Sequence, residues 1–296
     1  MTTSIYDRIH ALPFWKGPVK VSPLLGGLSN ESFTVRDRAG TWVVRFGEDY
    51  PFHHVDRTRE LMVSRAAAGA GYAPEVAYAE PGVTISAFID GHTYGEADVR
   101  RDRSRIVALL RRFHTEMPTH VSGTATLFWP FHVIRDYART IRAAGHAFSA
   151  LPVDDWLELT VELEAEQVPL PICFGHHDLL PANLIDDGQR LWLIDFEYAA
   201  YGTPMFDLAN LSSNAGFSAE DDVALLTEYF GAAPDAALTD AYRGMKAASL
   251  LREAMWSYVS HIKFRHREES FVDYLGYADE YLERLEDALF HWRRGR

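Results

Sequence analysis

The chain has one cysteine, Cys173, among 296 residues, which leaves no internal disulfide and no cysteine-built zinc site. Such usage suits a reducing cytoplasm. No uncharged apolar run is long enough to span a bilayer, and the opening MTTSIYDRIHALPFW lacks the pattern of a secretory signal. The expectation is a cytoplasmic protein with no membrane partner. A basic face is wanting as well: a formal net charge of −13 argues against a general nucleic-acid binder. The closing RRGR reads as a solvated tail. There is no GxxxxGK[ST] and no GxGxxG opening a helix, so P-loop and Rossmann architectures lack support. Repeats and low-complexity segments are absent too.

What remains is an ordinary globular composition, 47% hydrophobic, long enough for one large domain or two lobes. Residues 1 to about 90 read as strands and short turns. Val19 to Leu25, Ser32 to Arg36 and Trp42 to Phe46 are rich in Val, Phe and Trp and are broken by Gly- and Asp-containing turns. Residues 55–69 carry Leu61, Ser64, Arg65 and Ala68 at helical spacing. Val76 to Tyr78 and Thr84 to Phe88 look like two further strands. From Asp98 the period becomes helical: Asp98 to Glu116 holds Ile106, Leu109, Leu110 and Phe113 on one face. More helical periods cover about 132–149, 154–167, 219–230, 237–265 and 270–293. The junction near Ile89-Asp90-Gly91 divides a sheet-rich lobe, 1–90, from a helix-rich one, 91–296.

The chemistry concentrates between Phe174 and Asn214. His176-His177-Asp178-Leu179-Leu180-Pro181-Ala182-Asn183 fits H-x-D-x-x-x-x-N, and the apolar strand LWLI ends in Asp195. In that pattern Asp178 orients or deprotonates an acceptor hydroxyl, while Asn183 and Asp195 hold Mg²⁺ on nucleotide phosphates. Upstream, LLGGLSNESF supplies a candidate phosphate cradle in Gly26, Gly27, Ser29 and Asn30. Arg45 is a charge on an otherwise apolar strand and needs a partner; Glu60 on the following helix is the natural one. The adjacent histidines read as structural, with His176 holding the catalytic loop, because no further zinc ligands stand at plausible spacing. The pattern points to a phosphotransferase using ATP and Mg²⁺.

These residues resemble the choline/ethanolamine kinase family, within the wider aminoglycoside-phosphotransferase and protein-kinase-like superfamily. The segments that carry it are LLGGLSNESFTV, VVRF, GHHDLLPANLI, LIDFEYAAYGTPMFDLANLSS and LLREAMWSYVSHI. The resemblance implies an α+β, bilobal protein-kinase-like fold: a small N-terminal antiparallel sheet with one helix, then a larger, mainly helical C-terminal lobe. It implies adenine bound between the lobes near Ala87, Phe88 and Ile89, and Asp207 bracing the catalytic loop. Arg45 in place of the Lys common in aminoglycoside-modifying relatives favours the choline kinase side. A quaternary ammonium would be held by aromatic faces, here Tyr198 and Trp256, with Glu197 adding negative potential. Asn214 and Glu253 depart from the family pattern, which leaves choline, ethanolamine or another amino-alcohol as the acceptor. An aminoglycoside, thiamine or methylthioribose kinase, or a catalytically silent binding protein, are the rivals. A monomer or homodimer is expected.

Overall fold

The computed structural model describes residues 4–24, 31–264 and 272–294. A short helix α1 (Ile5–Ala11), capped by the Ser4 hydroxyl, precedes strands β1 (Lys20–Pro23), β2 (Glu31–Arg36) and β3 (Thr41–Phe46). Helix α2 (Arg57–Gly69) follows, then β4 (Val76–Glu80) and β5 (Val83–Ala87). The five strands form one antiparallel sheet in the order β1-β2-β3-β5-β4. Side chains alternate across its faces. Phe33, Val35, Val44, Phe46, Val83 and Ile85 therefore share one buried face with Ile9 and Leu12 of α1 and its exit. Arg45, between Val44 and Phe46, must take the opposite face.

The chain then becomes helical. Short β6 (His92–Thr93) leads to α3 (Glu96–Arg101), α4 (Arg103–Glu116), α5 (Pro130–Ala143) and α6 (Val153–Ala165). Strands β7 (Cys173–Gly175), β8 (Leu184–Asp186), β9 (Leu191–Leu193) and β10 (Ala200–Gly202) carry the site. They are followed by α7 (Pro204–Ala215), α8 (Ala219–Phe230), α9 (Ala236–Phe264) and α10 (Tyr274–Arg294). β7 pairs with β10, and β8 with both β6 and β9, all antiparallel. A large core joins α2 and α4–α10 beneath these small strands. The expected α+β, protein-kinase-like architecture is what the chain adopts.

Four elements differ from the sequence reading. α1 was read as strand and turn. The helix expected over 98–116 is two helices, because Asp102 leaves helical geometry (φ −100°, ψ 20°) and accepts from the Tyr94 hydroxyl at 2.6 Å. α7 lies in a segment read as loop. α2 starts at Arg57 rather than residue 55 because the Asp56 carboxylate accepts from the N–H groups of Thr58 and Arg59 at 2.8 and 3.0 Å.

Candidate active site

The 176–183 loop is held by its backbone. Both oxygens of Asp207, on the first turn of α7, accept from the N–H groups of His176 (2.8 Å) and His177 (2.7 Å), and His114 Nε2 lies 2.8 Å away. Burial would raise the Asp207 carboxyl, but the neighbouring His177 and His114 hold it well below the usual carboxylate range. Asn210, one turn on, accepts from Leu179 N–H at 2.6 Å. His176 spends its own ring locally, with Nε2 2.9 Å from the Ile194 carbonyl and Nδ1 accepting from Asp178 N–H at 3.3 Å. Burial lowers its pKa, so it is a neutral strut rather than a proton carrier.

His177 is fixed by close approach. It sits at φ +63°, with its ring stacked on Phe128 at 4.6 Å between centroids. A Cβ built on Gly175 would stand 2.4 Å from His177 Cε1, and one on Gly202 would stand 2.8 Å from the same atom. The paired strands β7 and β10 thus need glycine on both sides of this ring.

With the loop fixed, Asp178 comes to rest 8% exposed, and burial raises its carboxyl well above the ordinary range against the pull of Arg252. Asn183 donates its amide nitrogen to the Asp178 carbonyl at 2.8 Å, which leaves its Oδ1 as the atom available to a cation. Asp195 adopts φ +67°, and its buried Oδ1 has no hydrogen-bond partner among the described residues, although Arg45 Nη2 lies 3.0 Å away. One amide oxygen and one carboxylate suit Mg²⁺, which keeps waters and phosphate oxygens in its shell. No cluster of three His, Cys, Asp or Glu is arranged for a metal among the described residues. Any Mg²⁺ here would therefore depend on the nucleotide for the rest of its ligands.

Arg45 gathers the cluster. Its Nη1 donates to Glu60 Oε1 at 2.6 Å, and its Nη2 lies 3.0 Å from both Asp195 Oδ1 and Glu197 Oε2. Arg57 adds a second guanidinium, 2.6 Å from Glu60 Oε2 and 2.9 Å from Glu197 Oε2. Glu197, expected to lend negative potential to the acceptor, directs its carboxylate to Arg45 and Arg57, since a charge buried this deeply has to be paired. Even so, burial and the Asp195 charge push its pKa up to about 7.

The aromatic residues form a second group. Trp256 Nε1 donates to the Tyr198 hydroxyl at 3.1 Å, and its ring stacks on His53 at 5.3 Å. Tyr277 donates to Glu253 Oε1 at 3.0 Å, and Tyr281 to Asn214 Oδ1 at 3.0 Å. Tyr198 also lines a cavity of about 510 Å³, together with Asp49, His54, Arg59, Phe128 and His132 among others. Just past the end of β5, Phe88 is exposed and its N–H is donated to the Thr41 carbonyl at 3.1 Å, while Ile89 is partly buried. Gly26, Gly27, Ser29 and Asn30 lie outside the described residues.

Sequence reasoning missed Arg57, Arg252, His114 and Asn210. Arg57 had a signal in its i, i+3 spacing to Glu60. Arg252-Glu253 had one too, as a charged pair inside an otherwise small and apolar helical stretch. His114 and Asn210 had none that local spacing could reveal.

Residues 20–248 match the phosphotransferase enzyme family. The chain belongs to that family. It is similar to a choline/ethanolamine kinase family protein from Mesorhizobium loti, with 27% identity and a TM-score of 0.75 over 97% of this chain and 95% of that one. Protein LicA of Haemophilus influenzae is 24% identical over 90% of this chain and 77% of its own length. A solved LicA complex with AMP shares the fold at a TM-score of 0.73, with 20% identity over 96% of this chain and 97% of that one. The family member described here is a small-molecule phosphotransferase with an alcohol group as acceptor. No helix among its described residues is long and apolar enough to cross a membrane.

Proposed function

We propose that the protein is an ATP- and Mg²⁺-dependent cytoplasmic kinase for the hydroxyl of a small amino-alcohol. The observation that carries this reading is the convergence of Arg45, Asp195, Asn183 and Asp178 on one loop-and-strand unit. Residues 1–90 would hold the nucleotide and residues 91–296 the acceptor. The 26–30 loop and Arg45, kept in place by Glu60, would bind the phosphates, as the AMP-bound relative supports for nucleotide binding in this fold. Near the adenine, the N–H groups of Ala87 and Phe88 are already donated to the carbonyls of Glu75 and Thr41, so Ile89 supplies the donor. Asn183 Oδ1 and Asp195 would hold Mg²⁺, which when bound neutralises charge on the phosphate oxygens.

Asp178 accepts the acceptor's hydroxyl proton and aims its oxygen. The Asp207 brace keeps this geometry from relaxing between turnovers. Size selection follows from burial. Asp178, Tyr198, Glu253 and Trp256 are each no more than 8% exposed, a tight enclosure that favours a small alcohol over an aminoglycoside.

Coupled ADP release with Mg-ATP over choline, ethanolamine, thiamine, methylthioribose and an aminoglycoside tests the reading, with Asp178→Ala beside it. Turnover on an amino-alcohol that disappears in the variant supports it. Turnover only on a bulky acceptor, or turnover surviving in Asp178→Ala, refutes it.

A further inference from the structure

Arg252 occupies the place a cationic acceptor would need. It lies on α9 with 1% side-chain exposure, and its guanidinium carbon is 5.3 Å from the centroid of the Tyr198 ring. Its Nη2 is 3.9 Å from Asp178 Oδ1 and 2.6 Å from Glu253 Oε2. The contact with Glu253 is an ion pair without hydrogen-bond geometry. Arg252 Nε, Arg252 Nη2 and Glu253 Oε2 are all buried and have no hydrogen-bond partner among the described residues. The other oxygen of Glu253 accepts from Tyr277.

Two consequences follow. The Tyr198 ring already carries a cation, so a quaternary ammonium placed beside Arg252 meets a like charge. Beside Asp178, meanwhile, stand an Arg252 Nη2 and a Glu253 Oε2 that pair by charge at 2.6 Å without hydrogen-bond geometry, and an Arg252 Nε with no acceptor among the described residues. Buried polar groups of this kind are normally satisfied, and an unsatisfied pair calls for an explanation. A ligand that offers one acceptor and one donor within a few ångströms of its hydroxyl supplies it.

We propose that Arg252 is a specificity-determining residue of the acceptor site and that, with Glu253, it reads a zwitterionic acceptor. The acceptor's carboxylate takes the N–H groups of Arg252, its ammonium takes Glu253 Oε2, and its hydroxyl lies at Asp178. Binding exchanges one poorly aligned internal ion pair for two hydrogen-bonded ones. The preferred acceptor class is then a hydroxy amino acid, and choline is a poor substrate. The phosphoryl group passes from ATP to the hydroxyl oxygen, whose proton goes to Asp178, and ADP leaves. This inference rests on the kinase reading above.

The test compares L-serine, its one-carbon homologue, the methyl ester of each, ethanolamine and choline as acceptors with Mg-ATP. Wild type, Arg252→Met and Arg252→Lys are used, with circular dichroism as a check on folding. In wild type the better amino acid should exceed both its ester and choline by about 100-fold in kcat/KM, the scale of a lost buried charge contact. Arg252→Met should erase the preference for acid over ester and raise choline turnover, and Arg252→Lys should restore part of the preference. The acid-to-ester ratio in wild type keeps the test decisive even if Arg252→Met does not fold. Equal turnover of acid and ester, choline as the best wild-type acceptor, or an unchanged ratio in a folded Arg252→Met protein each overturns the proposal. If nothing is phosphorylated, the kinase reading fails separately and calorimetric titration of the same ligands decides. Selective binding of the acids, lost in Arg252→Met, upholds the role of Arg252; no binding by either acid overturns it.

Discussion

Replacing Asp207 by alanine removes the acceptor for two backbone N–H groups, at 2.8 and 2.7 Å, and the partner of His114 at 2.8 Å. Asp207 is 0% exposed, so water does not reach the orphaned donors without the loop moving. A buried donor left unpaired costs roughly 1–3 kcal/mol. Two such groups, less what relaxation recovers, give an expected loss of about 2–5 kcal/mol, a large share of a typical domain's stability of roughly 5–15 kcal/mol. Asp207→Asn keeps the shape and one accepting oxygen but turns an NH₂ toward a donor, so its loss should be about 2–3 kcal/mol. Urea unfolding followed by circular dichroism measures both, with kcat recorded on the folded fraction. The acid side has a definite sign. The folded pKa of Asp207 is depressed, so its stabilising contribution is fully present above the unfolded value of about 4 and is lost as pH falls below it. Asp207→Asn should therefore flatten the acid limb of stability. Asp207→Ala within about 0.5 kcal/mol of wild type would refute the reasoning.

Gly175→Ala puts a Cβ 2.4 Å from the His177 ring and should lower kcat more than it lowers stability, because the ring shift is passed to the adjacent Asp178; unchanged kcat in a folded variant counts against the role given to this packing. Because burial raises the Asp178 carboxyl, activity should require pH above that elevated value and fall as pH drops through it. A kcat/KM profile whose acid limb lies near the ordinary carboxylate value of about 4 would contradict this. Arg45→Ala leaves Glu60, Asp195 and Glu197 facing one another with Arg57 alone, so the melting temperature should fall and the stabilisation by Mg-ATP should vanish; a full nucleotide-induced shift in the variant would rule out phosphate clamping by this residue.

Legibility in the sequence depended on whether a residue's environment repeats with a period. β2 and β3 were readable because Val, Phe and Trp alternate over one buried face. α7 was not: every residue from Pro204 to Ala215 is buried, so no polar stripe marks a helix. The break at Asp102 was hidden because the apolar period runs on through Ile106 and Leu110. In the site, the Arg45–Glu60 contact followed from a charge stranded among apolar neighbours. Glu197 was assigned by analogy to the acceptor, whereas Asp195, at φ +67°, and Glu197, in the turn that follows, both reach Arg45. Arg252 needed the third dimension, since nothing along the chain brings residue 252 to residue 178.

At roughly 1.5 Å per residue the 29 residues of α9 extend about 43 Å. Along that length Ser249 receives the Asn210 amide, Arg252 lies 3.9 Å from Asp178, and Ser260 meets the His53 ring on which Trp256 stacks. The helix works as a common ruler. An axial slip or a roll would displace the support of the catalytic loop, the wall opposite the base and the approach to α2 by the same increment. New acceptor preferences can therefore arise by exchanging side chains on one turn, while the graduation that separates base from wall is inherited unchanged.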